Sequence, residues 1–200
     1  MELWLATGNK GKLNEFKNLL KGLDLDIHSQ DELSYFSQPP EDGDSFQANA
    51  LIKARALHAL KPESWTVSDD SGLVVPGLDG LPGIHSARYA GPKAQPSENN
   101  AKLLKMVQIR CGGQREAHFE CCLCVISPKG EEHFFSGKLD GAIAEKARGS
   151  SGFGYDPVFI PKGADRTLGE MTSAEKNSIS HRSKALKKLL DHLKEFSLLK

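Results

Sequence analysis

Apolar and polar positions alternate along this chain with periods that change several times. Leu3-Trp-Leu-Ala6 is a short continuous apolar run of a length that suits a buried strand. After a polar stretch, Leu13, Phe16, Leu19 and Leu20 recur at helical spacing, and Gly22 is placed to close that helix. Asp24 to Gln30, with Leu25 and Ile27, predicts a second strand, and the polar segment Asp31 to Asp44, with Pro39-Pro40 and Gly43, predicts a loop. From about Ser45 to Leu60 a helix is expected, with Phe46, Ala50, Ala54 and Leu57 on its buried stripe and Asp44 or Ser45 as N-cap. Lys53 and Arg55 fall mid-helix and read as solvated charges. Trp65-Thr-Val67 predicts a strand that runs into Asp69-Asp-Ser-Gly72, where the residue types favour a turn, before Leu73-Val-Val75.

Pro76 to Gly91 is loop-like, with Pro82 and four glycines. Ser97 is expected to cap a helix reaching about Val107. His118–Ser127 and Glu132–Leu139 predict an antiparallel pair joined through Pro128-Lys-Gly130. A second glycine-rich stretch, Gly149-Ser-Ser-Gly-Phe-Gly-Tyr-Asp-Pro157, enters the short strand Val158-Phe-Ile160. The segment from Glu175 leads into a C-terminal helix striped by Ala185, Leu186, Leu189, Leu190 and Leu193, with Ser178 or Ser180 as its cap.

Composition narrows the function classes. Lys+Arg and Asp+Glu are both 26, so the 200-residue chain carries no net charge. Such a chain has no global attraction for nucleic acid or anionic membranes, and any phosphate binding must come from a local cluster. No run approaches the roughly 20 apolar residues of a membrane span. The start of the chain has no basic segment ahead of a long apolar core, so no signal peptide is expected. The spacing of Cys111, Cys121, Cys122 and Cys124 suits neither a disulfide framework nor a zinc site, which points to reduced thiols in a cytoplasmic protein.

Candidate chemistry gathers at a few places. Thr7-Gly-Asn-Lys-Gly-Lys12, between a strand and a helix start, can turn backbone N–H groups, a positive dipole end and two lysines toward an anion. It matches neither the P-loop nor the dinucleotide-binding spacing, and a plain turn with surface lysines is the alternative. Asp69 and Asp70, at the end of a strand, are the kind of paired acids that hold Mg²⁺ through one or two carboxylates. Glu41 and Asp42 lie just ahead of a helix, where the dipole alone also favours them. Arg88 sits in a glycine-rich loop from which a guanidinium can grip phosphate. Phe153 and Tyr155, between glycines, can stack on a flat base or pack on their own turn. His181 and Arg182 fall in the first turn of a helix, where cations oppose the dipole unless an anion sits nearby.

Taken together, Thr7-Gly-Asn-x-Gly-Lys12, Phe46-x-x-Asn-Ala50 with Lys53-Ala54, Asp69-Asp-Ser-Gly-Leu73, Leu81-Pro-Gly-x-x-Ser-Ala-Arg-Tyr89, Gly152-Phe-Gly-Tyr-Asp-Pro157 and Glu175-Lys-x-x-x-Ser-His-Arg182 stand in an order that resembles the Ham1/inosine triphosphate pyrophosphatase family. The resemblance runs from about Leu5 to Leu190. It implies one α/β domain over residues 1–200, with an elongated mixed central sheet flanked by helices and two lobes enclosing an active-site cleft. It also implies a cytoplasmic homodimer that uses Mg²⁺ to hydrolyse deaminated purine nucleoside triphosphates (ITP, dITP, XTP) to the monophosphate and pyrophosphate, keeping them out of DNA and RNA. No nucleic-acid or membrane partner is implied.

Carried onto this chain, the resemblance makes Asp70 the general base. Glu41 and Asp70 become metal ligands, with Asp69 a third candidate. Thr7, Gly8, Asn9, Lys10, Gly11 and Lys12 would hold phosphate, and Ser71 would touch substrate. Phe153, Gly154, Tyr155 and Asp156 would meet base and ribose, and Lys176, His181 and Arg182 phosphate and base. Lys53 and Arg88 are further candidate contacts. The chain departs from the family at Ala48, where Glu is frequent. A Glu there would complete a capping box with Ser45 or serve the metal site. Two rival readings are a pyrophosphatase directed at a pyrimidine or methylated purine, and a nucleotide-binding module without catalysis.

Overall fold

The computed structural model of the chain describes residues 1–195. Six strands and five α-helices are present among them: β1 (Glu2–Ala6), α1 (Lys10–Leu19), β2 (Asp26–Ser29), α2 (Phe46–His58), β3 (Trp65–Val74), α3 (Pro96–Arg110), β4 (Glu116–Ile126), β5 (Glu132–Ile143), β6 (Phe159–Pro161), α4 (Ser173–Ile179) and α5 (His181–Glu195). The strands form one mixed sheet in the order β2-β1-β3-β4-β5-β6. β1 runs parallel to both β2 and β3, and β6 runs antiparallel to β5.

The apolar run at the start becomes β1 because both of its faces are covered. Leu3 and Leu5 pack with Phe16 and Leu20 of the α1 segment and with Leu186, Leu189 and Leu193 of α5. Trp4 and Ala6, pointing the other way, meet Leu57 of α2. A parallel strand covered on both sides has no polar face, so its sequence does not alternate. On β4, Leu123 and Val125 join the first cluster, whereas Cys124 and Ile126 pack with Ala50 and Ala54 of α2.

The chain divides into two compact units. Unit 1 comprises Met1–Asp70, Cys121–Gly137 and the segment from Arg182 onward; unit 2 comprises Ser71–Glu120 and Lys138–His181. Unit 2 has its own core, in which Leu103 and Val107 of α3 meet Leu73, Val75, Phe119, Leu139, Tyr155 and Phe159.

Four local expectations are corrected. The Asp69-Asp-Ser-Gly72 stretch is no turn: β3 continues through it for ten residues. The α3 cap is Gln95, two residues earlier than Ser97, because Pro96 occupies the first helical position and Glu98 reaches back to the cap N–H. A separate helix, α4, precedes α5, capped by Thr172 and Glu175 in a reciprocal box; Ser180, extended, divides the two helices. Lys53 is no solvated charge, being only 4% exposed. None of the four cysteines is in a disulfide, and all four are buried.

Candidate active site

Successive side chains of a strand point to opposite faces, so the continuation of β3 through Asp69 and Asp70 separates the two carboxylates. In unit 1 they serve two different clusters.

Asp69 is 2% exposed. Its Oδ1 accepts from Lys12 Nζ at 2.6 Å, and its Oδ2 accepts from Arg182 Nε at 2.5 Å and from the Cys121 thiol at 3.5 Å. Arg182, itself 1% exposed, donates through Nη1 to Glu15 of α1. Two cations and two anions thus offset one another inside the protein. Burial works against the Asp69 charge, but Arg182 and Lys12 outweigh it and hold the carboxyl well below the usual carboxylate range. Burial likewise opposes the Arg182 charge, and Asp69 and Glu15 overcome it, raising the guanidinium above its ordinary value. The anion that the cationic start of α5 required is therefore supplied by the chain itself.

Asp70 turns toward α2. Its Oδ1 accepts from Lys53 Nζ at 2.7 Å, and the same Nζ donates to Glu41 Oε1 at 2.9 Å and to the Asp69 carbonyl at 2.7 Å. Here burial wins: despite Lys53 and Lys12, the Asp70 carboxyl is raised above its ordinary value. Lys53 also loses by burial but gains more from Asp70 and Glu41, so its ammonium is held charged. α2 presents Lys53 because Ser45 caps the helix, accepting from the Ala48 N–H at 3.2 Å. Ala48 leaves the reciprocal half of that cap unmade.

The loop from Thr7 to Lys12 wraps the start of α1. Asn9 is the cap, its side chain accepting from Lys12 N at 3.1 Å, while Thr7 Oγ1 accepts from Asn9 N at 3.2 Å. Gly8, Asn9 and Lys10 are exposed, and Gly11 and Lys12 are half-buried. Lys10 opens the helix and Lys12 is drawn inward to Asp69.

In unit 2, Ser71 continues β3 and is half-buried, and Arg88 closes a short 3-10 turn, also half-buried. The loop carrying Phe153 and Gly154 is braced from within. Asp156 Oδ2 accepts from Phe153 N at 2.8 Å and from Lys176 Nζ at 2.6 Å. Lys176 Nζ also stands 4.5 Å from the centre of the Phe153 ring. Gly152 has φ +75°, and a Cβ there would lie 2.0 Å from Asp156 Oδ2, so only glycine fits this turn. Tyr155 belongs to the core of the unit, its hydroxyl donating to the Ser86 carbonyl at 2.8 Å and pushed up in pKa by burial. Asn100 of α3 donates to the Gly154 carbonyl at 3.1 Å, and a cavity of about 580 Å³ lies against this loop, bordered by Phe153, Gly154, Asn100 and Leu104. His181 is buried and lies flat on Phe119.

The structure thus gathers Lys12, Asp69 and Arg182 in one cluster and Glu41, Lys53 and Asp70 in another within unit 1. It gathers Phe153, Asp156 and Lys176 within unit 2. Glu15, Cys121 and Phe119 were not foreseen. Glu15 lies beside Phe16 on the inward side of α1, and a charge next to an apolar stripe is a weak signal that it has a buried partner.

Comparisons with known proteins complete the picture. The Ham1 family model matches residues 3–192. The chain is 54% identical over 194 residues to a dITP/XTP pyrophosphatase of Bdellovibrio bacteriovorus, covering 96% of this chain and 98% of that protein. It is 44% identical over 188 residues to a dITP/XTP pyrophosphatase of Bacillus subtilis, covering 94% of each. It is also similar to the solved structure of a HAM1 protein from Coxiella burnetii, with a TM-score of 0.88 at 36% identity, covering 98% of this chain and 99% of that one.

Proposed function

The chain belongs to the Ham1 family, and from that premise we infer that it is a nucleoside triphosphate pyrophosphohydrolase converting dITP, ITP and XTP to the monophosphate and pyrophosphate. The observation that carries this reading onto particular atoms is the triad of buried Asp70 and Lys53 with half-buried Glu41. Displacing pyrophosphate from the α-phosphorus needs an aligned water, a group to take its proton, and positive charge for the leaving oxygens. Asp70 is the proton acceptor: burial raises its carboxyl above its ordinary value, and Lys53 fixes Oδ1 in place.

A Mg²⁺ ion fits the donor set. Glu41 Oε1 and Asp70 Oδ1 are hard oxygens that already converge on one cationic nitrogen, at 2.9 and 2.7 Å. Among the described residues no group of three or more His, Cys, Asp or Glu side chains forms a metal cage. Mg²⁺ commonly takes one or two carboxylates and completes its octahedron with substrate phosphate and water. Glu41 and Asp70 would hold it, where it would supply charge neutralisation and a more acidic bound water. Asp69 is assigned a different task, because Lys12 and Arg182 engage both of its oxygens.

The remaining residues divide by chemistry. Thr7, Gly8, Asn9, Lys10 and Gly11 offer hydroxyl, amide and ammonium donors to the triphosphate, and Lys12 and Lys176 add charge for the departing pyrophosphate. Ser71 and Arg88 are further substrate contacts. Phe153 gives the base a ring face, and Gly154, Tyr155 and Asp156 keep that ring in place. His181 donates to the 6-oxo edge, and Arg182, buried on Asp69, holds the start of α5. A site built on such hydrogen bonds rejects the 6-amino edge of adenine, since its donor would then face a donor.

We place the enzyme in the cytoplasm as a homodimer, with residues 1–200 acting as one functional domain; residues 196–200 lie outside the described ones. Four buried cysteines, none in a disulfide, support the reducing compartment. No described helix is long and apolar enough to cross a membrane. The family resemblance supports the dimer.

The reading is tested by pyrophosphate release from dITP, XTP, dATP, dGTP and dCTP, each with Mg²⁺ and with EDTA. Release that requires Mg²⁺ and strongly favours dITP and XTP is expected. Preference for dCTP would move the enzyme to the pyrimidine-directed class, and binding without release would make it a nucleotide-binding module.

A further inference from the structure

Every group assigned a role so far lies in a sequence motif of the family or bonds directly to one. Phe119 does neither, yet it is the surface on which His181 rests. The two ring centroids are 4.8 Å apart with their planes 9° from parallel. Phe119 is 8% exposed and His181 5%. Phe119 is in turn fixed by Phe159, whose ring is tilted 59° to it with centroids 4.7 Å apart and which is fully buried. Rigid contact therefore passes from the core of unit 2 to the imidazole.

This matters because of how a histidine is built. The backbone of α5 fixes its Cβ, but the torsion that turns the ring about the Cβ–Cγ bond has broad, roughly two-fold wells. The direction in which each ring nitrogen points depends on that torsion. A parallel neighbour restricts it, since rotating the ring would drive its edge into the Phe119 face. A leucine would keep the site apolar but would not define a plane.

We propose that Phe119 is a positioning residue for base selection. It acts through His181, setting the imidazole plane so that a ring N–H is aimed at the 6-oxo group of the purine. The inference rests on the assignment of His181 as a base contact. It predicts that Phe119 governs discrimination between 6-oxo and 6-amino purines, not the speed of phosphate chemistry. Asp70, Lys53 and Glu41 are untouched by it.

The test compares Phe119→Leu, Phe119→Tyr and His181→Gln, with Val158→Ala as a control that loosens the same core; Val158 is fully buried there. Thermal melting first establishes that each variant is folded. Steady-state kinetics with dITP and dATP are then measured, together with proton NMR of the histidine ring signals, His181 being assigned by its loss in His181→Gln. Phe119→Leu should lower kcat/KM for dITP by about three- to tenfold, the range of one lost aromatic pair, chiefly through KM. Its dATP value should stay within about twofold of wild type. The upfield ring-current shift of the His181 signals should disappear, and Phe119→Tyr should restore both shift and selectivity. Phe119→Leu added to His181→Gln should cost nothing further.

Two results would overturn the proposal and are distinguishable. If His181→Gln hydrolyses dITP like wild type, the assignment of His181 as a base contact fails, and the inference falls with it. If His181→Gln is impaired but Phe119→Leu loses no more dITP selectivity than Val158→Ala, the assignment stands and the role of Phe119 is refuted.

Discussion

Two adjacent aspartates of one strand illustrate how the same side chain is put to opposite uses. Asp69 meets two full charges, with Lys12 at 2.6 Å and Arg182 at 2.5 Å, and is held far below the ordinary carboxylate range. Asp70 shares a single lysine with Glu41 and is raised by burial. The first is a buried anion neutralised by two cations, of use for architecture. The second is a carboxylate beside one lysine, at the position proposed for the general base. Strand alternation made the division possible, since a turn would have let both face the same way.

Four substitutions sharpen or break this contrast. The largest stability effect is expected for Arg182→Met, which strands Asp69 and Glu15 as buried charges; breaking such a pair costs about 3–5 kcal/mol. Urea denaturation reads it, and a loss below about 1 kcal/mol would show that the network is solvated in practice. Lys53→Met should cost less, about 1–3 kcal/mol, because Glu41 is partly exposed and can turn to water. Its activity should nevertheless fall further than its melting temperature implies. Ala48→Glu should gain at most about 1 kcal/mol by completing the capping box with Ser45 at the start of the helix that carries Lys53. A lower melting temperature would tell against the cap.

The smallest effect belongs to a surface counterpart of these clusters. His28 lies 2.8 Å from Glu32 and 3.3 Å from Asp26, and Glu32, chiefly, raises its pKa above 6.5. The folded value exceeds the unfolded one, so the contribution is complete below about pH 6.5 and is lost as pH rises through the folded value. Glu32 is lowered below 4.5, first by His28, so its share is present above that pH and is lost as pH falls through its folded value. Stability should thus be enhanced between about pH 4.5 and 6.5, and His28→Gln should remove that enhancement. The amount is about 0.5 kcal/mol or less, as for most exposed pairs, and denaturant melts at pH 5.5 and 8 measure it.

Much of the fold was legible in the sequence because it rests on local patterns. The apolar run of β1, the stripe of α2 and the stripe of α5 each announce their own burial. The misreadings have two physical origins. Thr172-Ser-Ala-Glu175 is a capping box that marks α4, and Pro96 marks the head of α3; both signals are local to the sequence. The course of β3 through Asp69 and Asp70 was not available. Asp, Ser and Gly favour turns, and what keeps them in a strand are partners far along the chain. Arg182 is 113 residues from Asp69 and 167 from Glu15. The family motifs nominate candidate site residues, but not that Asp69 and Arg182 are sealed against each other or that His181 rests on Phe119.

The measurement that bears most directly on this division is single-turnover hydrolysis of dITP by Asp70→Asn, at a temperature where melting shows the variant folded. Loss of the general base should slow the chemical step by about 10²–10⁴-fold while dITP still binds. Turnover within about tenfold of wild type would contradict the account and move the chemistry away from Asp70.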